Sequence, residues 1–177
     1  MRFPTLLPVL AGVALLAAAC SKNDEYRSSS AAVDPLNSLR RGELSAVETY
    51  RQAIAKEGSA AADLATIRSD HEDAAERLRQ RIVALGGEAD STSGAWGDFA
   101  KAIEGTAKIF GNSAAMSALK TGEKHGIDSY ESALTNSKVD SDSKDLIRAS
   151  LLPRQRSHVD TLERLISNKP ATDTANR

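Results

Sequence analysis

Two stretches of the chain are near copies of one another: GELSAVETYRQAI from Gly42 to Ile54, and GEKHGIDSYESAL from Gly122 to Leu134. Each places a Tyr seven residues after a Glu, Glu43 to Tyr50 and Glu123 to Tyr130. Seven residues is close to two turns of an α-helix, so each Glu and its Tyr share one face, stacked along the axis. That face is otherwise apolar, with Leu36, Leu39, Val47 and Ile54 along the helix that carries the first copy and Met116, Leu119, Ile127 and Leu134 along the one that carries the second. A carboxylate on a buried stripe is costly unless it is paired, hydrogen-bonded, protonated or bound to metal. Any fold open to this chain must give two such carboxylates their partners.

The segments that follow each copy supply candidates. Ala60 to Leu85 presents Leu64, Ile67, His71, Ala74, Ala75, Leu78, Ile82 and Leu85 at helical spacing, with His71 in the middle of the stripe. Ser141 to Ser167 turns Ile147, Leu151, Gln155, His158, Leu162 and Leu165 to one side. When His71 is set on His158, Ala75-Glu76-Arg77-Leu78 falls on Leu162-Glu163-Arg164-Leu165, so the chain carries two helical hairpins in tandem. Aromatics are few and Ala, Leu, Glu, Lys and Arg are plentiful, which makes the fold class all-α.

The punctuation predicts four helices. The first starts at Asp34-Pro35, an N-cap acceptor followed by Pro at the first helical position, and breaks at Gly58-Ser59. The second is capped by Ser59 and ended by Gly86-Gly87. The third spans about Ser113 to Thr135 and the fourth about Ser141 to Ser167, with Pro153 bending it near Ala149, whose carbonyl loses its partner. The connection from Gly86 to Asn112 is longer than neighbouring antiparallel helices need, and its amphipathic piece, Trp96 to Phe110, reads as a short helix on a crossover. Two hairpins joined this way make an antiparallel four-helix bundle over residues 34–168, in which Glu43, His71, Glu123 and His158 converge near a pseudo-twofold axis. Arg68 and Gln155, each three residues before a His, reach toward the same depth. His125 falls about 200° round the helix from Glu123 and is expected outside, as are Glu48 and Asp128. Asp70, Glu72 and Asp73 fan outward around His71 and are not expected to meet on one ion.

The two ends carry an address. Residues 1–19 read as a secretory signal, with Arg2 ahead of the apolar run Leu6 to Ala19, which is short for a bilayer span. The run closes on Leu16-Ala-Ala-Ala-Cys20, which resembles a bacterial lipobox, the alternative being ordinary cleavage at an Ala-x-Ala site that releases a soluble protein; Cys20 is the one Cys of the chain. A lone Cys cannot form an internal disulfide, which favours lipidation as its use in an oxidising compartment. Ser21 after the Cys resembles the residue that passes a lipoprotein to the outer membrane, facing the periplasm. Residues 20–33 are polar and Ser-rich and read as a tether, and residues 169–177 as a disordered tail. Scattered charges of both signs give no nucleic-acid footprint.

The Glu-x6-Tyr of the first and third helices, the His of the second and fourth, and the long crossover together resemble the ferritin-like superfamily, and within it a bacterial family of unknown function. The resemblance covers about Pro35 to Asn168 and implies the fold. Metal-active members place Glu-x-x-His on the second and fourth helices, whereas this chain has Arg68 and Gln155 at the carboxylate positions. Di-iron chemistry is therefore not carried over.

Three readings follow for the core. In the preferred one, Glu43, Glu123, His71, His158, Gln155, Arg68, Tyr50 and Tyr130 form a hydrogen-bonded cluster without a metal. In another, Glu43, His71, Glu123 and His158 hold one zinc, manganese or ferrous ion. Arg68 weighs against it, since a guanidinium at that depth repels a dication and neutralises a Glu. In the third, the bundle is a non-enzymatic, stress-related or partner-binding envelope protein that works through its surface, a role compatible with either core.

Overall fold

The structure, a computed structural model, describes residues 12–55, 60–94 and 112–168. It is an all-helical four-helix bundle built from α1 (Gly12–Ile54), α2 (Ala61–Ala84), α3 (Asn112–Thr135) and a fourth rod. That rod comprises α4 (Ser141–Leu146), a π-helical turn (Ile147–Leu151) and α5 (Leu152–Ser167). The expected crossover helix, Trp96 to Phe110, lies outside the described residues, as do Gly58 and Ser59 at the first break and the C-terminal tail.

Cross-helix pairs establish the directions. Tyr50 reaches Glu123 while Tyr130 reaches Glu43, so α1 and α3 run antiparallel. Arg77 meets Ser150, Arg154 meets Asp73 and Arg164 meets Asp63, so α2 runs antiparallel to the fourth rod. Lys120 pairs with Glu163 and Arg156 with Glu131, which sets α3 against α5 in the same sense. It follows that α2 and α3 are parallel, and only a connection that returns the length of the bundle can join them. The start of that connection does run back along α1. Asn37 clasps it, donating to the Glu88 carbonyl at 2.9 Å and accepting from the Asp90 N–H at 2.8 Å; Arg41 pairs with Asp90, and Ser93 donates to Glu48 at 3.3 Å.

The core has two apolar layers with a polar one between. Leu36, Leu39, Leu78, Ile82, Ala133, Ile147 and Leu151 fill one end, and Leu64, Ile67, Met116, Leu119 and Leu162 fill the other. On each rod the Glu or His falls between residues of the two layers, so the polar groups are roofed and floored by side chains that exclude water. A fully buried Leu or Ile contributes roughly 1.5–3 kcal/mol, enough in sum to carry a costly middle layer.

Local chemistry explains the ends. Gly86 closes α2 with φ at +76°, and the Gly87 N–H bonds the Ile82 carbonyl at 2.9 Å. Gly87 is needed for another reason: a Cβ there would lie 2.5 Å from a Val33 methyl. Asp140 caps α4, accepting from the Ser143 N–H at 3.1 Å and pairing with Arg81.

Two expectations change. The first helix does not begin at Asp34-Pro35: α1 runs through Pro35 from Gly12, so the backbone of Ser21 to Val33, expected as a tether, is helical. Ala32 is buried in the apolar layer and Val33 packs against it and on Gly87. That packing outweighs the hydrogen bond Pro35 cannot donate. The bend expected at Pro153 takes the form of the π turn, in which the Leu152 N–H reaches back five residues to the Ile147 carbonyl. A wider turn relieves the clash a proline ring makes with the carbonyl four residues earlier, here that of Ala149. Among the described residues no helix is long and apolar enough to cross a membrane.

Candidate functional site

The polar layer is a chain of alternating carboxylates and imidazoles. His71, on α2 and 1 % exposed, stands between the two repeated carboxylates: Nδ1 lies 2.7 Å from Glu43 Oε2 and Nε2 lies 3.1 Å from Glu123 Oε1. The tyrosines cross the bundle, Tyr50 donating to Glu123 Oε1 at 2.5 Å and Tyr130 to Glu43 Oε1 at 2.5 Å. On the far side of Glu123, Oε2 accepts from Gln155 Nε2 at 2.7 Å and lies 3.2 Å from His158 Nδ1. The outer nitrogen of His158, Nε2, is 3.1 Å from Asp70 Oδ2. Asp70 is the half-buried end of the chain, and Arg154 stands over it and donates to Asp73.

Electrostatics follow from this geometry. Burial alone would keep His71 neutral, but the Glu123 and Glu43 carboxylates outweigh it and raise its pKa to about 10. Burial pushes Glu123 up, yet His71 and His158 together hold it down at about 2. Tyr50 and Tyr130 are held well above the usual phenol value by burial and by the carboxylates they serve, so they stay protonated donors.

The donor set suits a metal ion. His71, Glu123 and His158, all buried, each offer one ligand atom, and these atoms lie within 4.8 Å of one another. Two imidazoles and a carboxylate are borderline ligands of the kind zinc, manganese and ferrous iron accept. Each imidazole also has a carboxylate on its other nitrogen, Glu43 for His71 and Asp70 for His158. Such outer carboxylates fix the ring orientation and raise the basicity of a metal-bound His. A cavity of about 90 Å³ between α1 and α3 reaches Glu43, His71, Glu123 and Gln155 past Gly42, Ala46, Gly122 and Gly126.

The four residues expected to converge, Glu43, His71, Glu123 and His158, do meet in one network. Within it Glu43 lies on the opposite side of the His71 ring from Glu123, so it orients His71 and is not grouped with the three convergent donors. Tyr50, Tyr130 and Gln155 stand where expected, each on a carboxylate. Arg68 does not join them. Its side chain is about one-third exposed and pairs along its own helix, with Nε, itself buried and without a hydrogen bond among the described residues, 3.3 Å from Glu72 Oε1 at i+4. His125 and Asp128 are exposed, as expected. Asp70 was set aside with its acidic neighbours, yet it faces α5 and holds His158. Its signal in the sequence, one residue from His71, points to no partner until the packing of α2 on α5 is known.

Fold and site together define an all-helical bundle organised round a buried carboxylate–imidazole cluster. The chain belongs to the family described as Domain of unknown function (DUF2383), whose model matches residues 31–136. The match takes in both Glu-x6-Tyr copies and His71 and stops before Gln155 and His158. No curated protein and no solved structure matches the chain.

Proposed function

We propose that this is a ferritin-like, lipid-anchored envelope protein whose bundle holds one divalent transition-metal ion at His71, Glu123 and His158. The observation that carries the reading is the pair of imidazoles converging on Glu123, each with its outer nitrogen held by a carboxylate. The objection raised by the sequence was Arg68; among the described residues it pairs with Glu72, with Nε 3.3 Å from Oε1, and none of the cluster's carboxylates is paired with it. The ferritin-like assignment draws support from the antiparallel α1–α3 pair and the parallel α2–α3 pair, which need the long crossover. Lipidation at Cys20, an outer-membrane location facing the periplasm and an envelope protein as partner rest on the sequence of residues 1–33. The role is one of holding the ion and presenting a surface, and no catalytic step is assigned.

Protein purified without chelator and without a metal-affinity tag tests this. About one equivalent of zinc, manganese or iron per chain is expected, falling to background in Glu123→Ala and in His158→Ala. Wild-type protein that folds normally, carries no metal and takes up none would favour the second reading, a metal-free cluster. That reading has its own support, since the His71 imidazolium between two carboxylates is itself a cation that balances the core.

A further inference from the structure

Gln155 is not a neutral bystander of the site, because the fold has made room for it. Its side chain is buried, and its Nε2 lies 2.7 Å from Glu123 Oε2 and 3.4 Å from the Glu123 carbonyl oxygen. A Cβ at Gly126 would stand 2.3 Å from that nitrogen and 2.9 Å from Cδ, so any larger residue on α3 at this place evicts the amide. The other half of the repeat is the contrast. There the counterpart of Gly126 is Ala46, which has a Cβ, and the counterpart of Gln155 is Arg68, which pairs with Glu72 on its own helix. One repeat admits a side chain to its carboxylate and the other does not.

The consequence falls on the two glutamates. Among the described residues Glu43 has two partners, Tyr130 and His71. Glu123 has four, with Tyr50 and His71 on Oε1 and Gln155 and His158 on Oε2. An amide N–H₂ satisfies a carboxylate oxygen without adding charge, whereas a carboxylate in its place would repel Glu123 unless a cation stood between them. Two buried glutamates balance one dication when both imidazoles are neutral, and a second dication would leave an uncompensated charge of two between apolar layers.

Resting on the reading that the core holds a divalent ion, we propose that Gln155, seated in the space Gly126 leaves, is the specificity-determining residue that restricts this site to one ion. The carboxamide does for Glu123 Oε2 what a second cation would otherwise do.

Calorimetric titration of the metal-stripped full chain with zinc separates the possibilities. Wild type is expected to take one ion. Gln155→Glu, which halves that uncompensated charge and offers a further carboxylate to bridge the ions, is expected to take two. Gly126→Ala, which displaces the amide, is expected to keep one ion and bind it at least tenfold more weakly, with unchanged helix content by circular dichroism. Val83→Ala, at an exposed position of α2 outside the cavity, is the control and should match wild type. One ion in Gln155→Glu at wild-type affinity, or wild-type affinity in Gly126→Ala, overturns the proposal while leaving the metal site standing. A wild-type chain that binds no zinc removes the site and this proposal with it.

Discussion

Glu43 and Glu123 occupy equivalent places in the repeat, and the structure gives them unequal roles that a substitution can separate. Glu43 accepts from Tyr130 and holds His71 Nδ1, while Glu123 faces His71 Nε2 and His158 Nδ1. In Glu43→Gln the amide oxygen can still accept from one of these donors, so the ring stays in place, but the charge that raises its basicity is gone. Loss of such an outer partner typically costs 10–100-fold in metal affinity, about 1.4–2.7 kcal/mol. Glu123→Ala removes a ligand of the proposed ion, and saturable binding should disappear. Glu43→Ala goes further than the amide variant, since it strands the buried Tyr130 hydroxyl, and an unpaired buried donor costs roughly 1–3 kcal/mol of stability. Zinc competition against a chromophoric chelator reads the affinities, and urea unfolding of the metal-free forms reads the stability. If Glu43→Gln abolishes binding as completely as Glu123→Ala, Glu43 is itself a ligand and the assignment of roles is wrong. If Glu43→Gln binds as tightly as wild type, the orienting role fails.

Further outcomes are expected from other parts of the molecule. Gly87→Ala should lower stability by about 1–3 kcal/mol in chemical denaturation, because its Cβ would overlap Val33, and Gly42→Ala should raise it by about 0.5–1 kcal/mol, filling open space in a helix interior; equal effects at the two sites contradict the packing described. In the metal-free protein, His71, raised from 6.5 to about 10, stabilises fully below pH 6.5, and that contribution is lost as pH rises through about 10. Glu123, lowered from 4.5 to about 2, contributes above pH 4.5 and loses its contribution as pH falls toward 2. The melting temperature of chelator-treated protein should therefore peak between pH 4.5 and 6.5, and an unchanged value from pH 6.5 to 10 would rule out the buried imidazolium. Cys20→Ser should move the protein from the membrane fraction to the soluble one, and continued sedimentation with membranes contradicts lipidation.

The repeat makes most of this fold readable from the sequence. Glu-x6-Tyr on two apolar stripes and a His in the middle of two more gave four rods and the depth at which they meet, because helical period converts spacing directly into a shared face. The ends were legible where one residue decides them, as at Gly86, which closes the second helix. The start of α1 was not, since Pro35 reads locally as a first-turn residue and only the packing of Ala32 and Val33 carries the helix past it. Side-chain direction at the edge of a stripe was the other blind spot. Arg68 and Asp70 flank His71 on the same helix, and which of them meets the cluster depends on the neighbouring rod: among the described residues Asp70 finds His158 and Arg68 pairs with its own Glu72. The use of Gly126 appears only once Gln155 is seen filling the space its missing side chain leaves.

Anomalous diffraction from crystals grown with zinc, recorded at the zinc absorption edge, tests the central claim directly. The expected result is one strong peak per chain, at about 2.0–2.2 Å from His71 Nε2, His158 Nδ1 and a Glu123 carboxylate oxygen, with Glu43 and Asp70 on the outer nitrogens. A zinc-soaked crystal with these side chains ordered and no peak among them, or a peak ligated by Glu43 in place of Glu123, would contradict it.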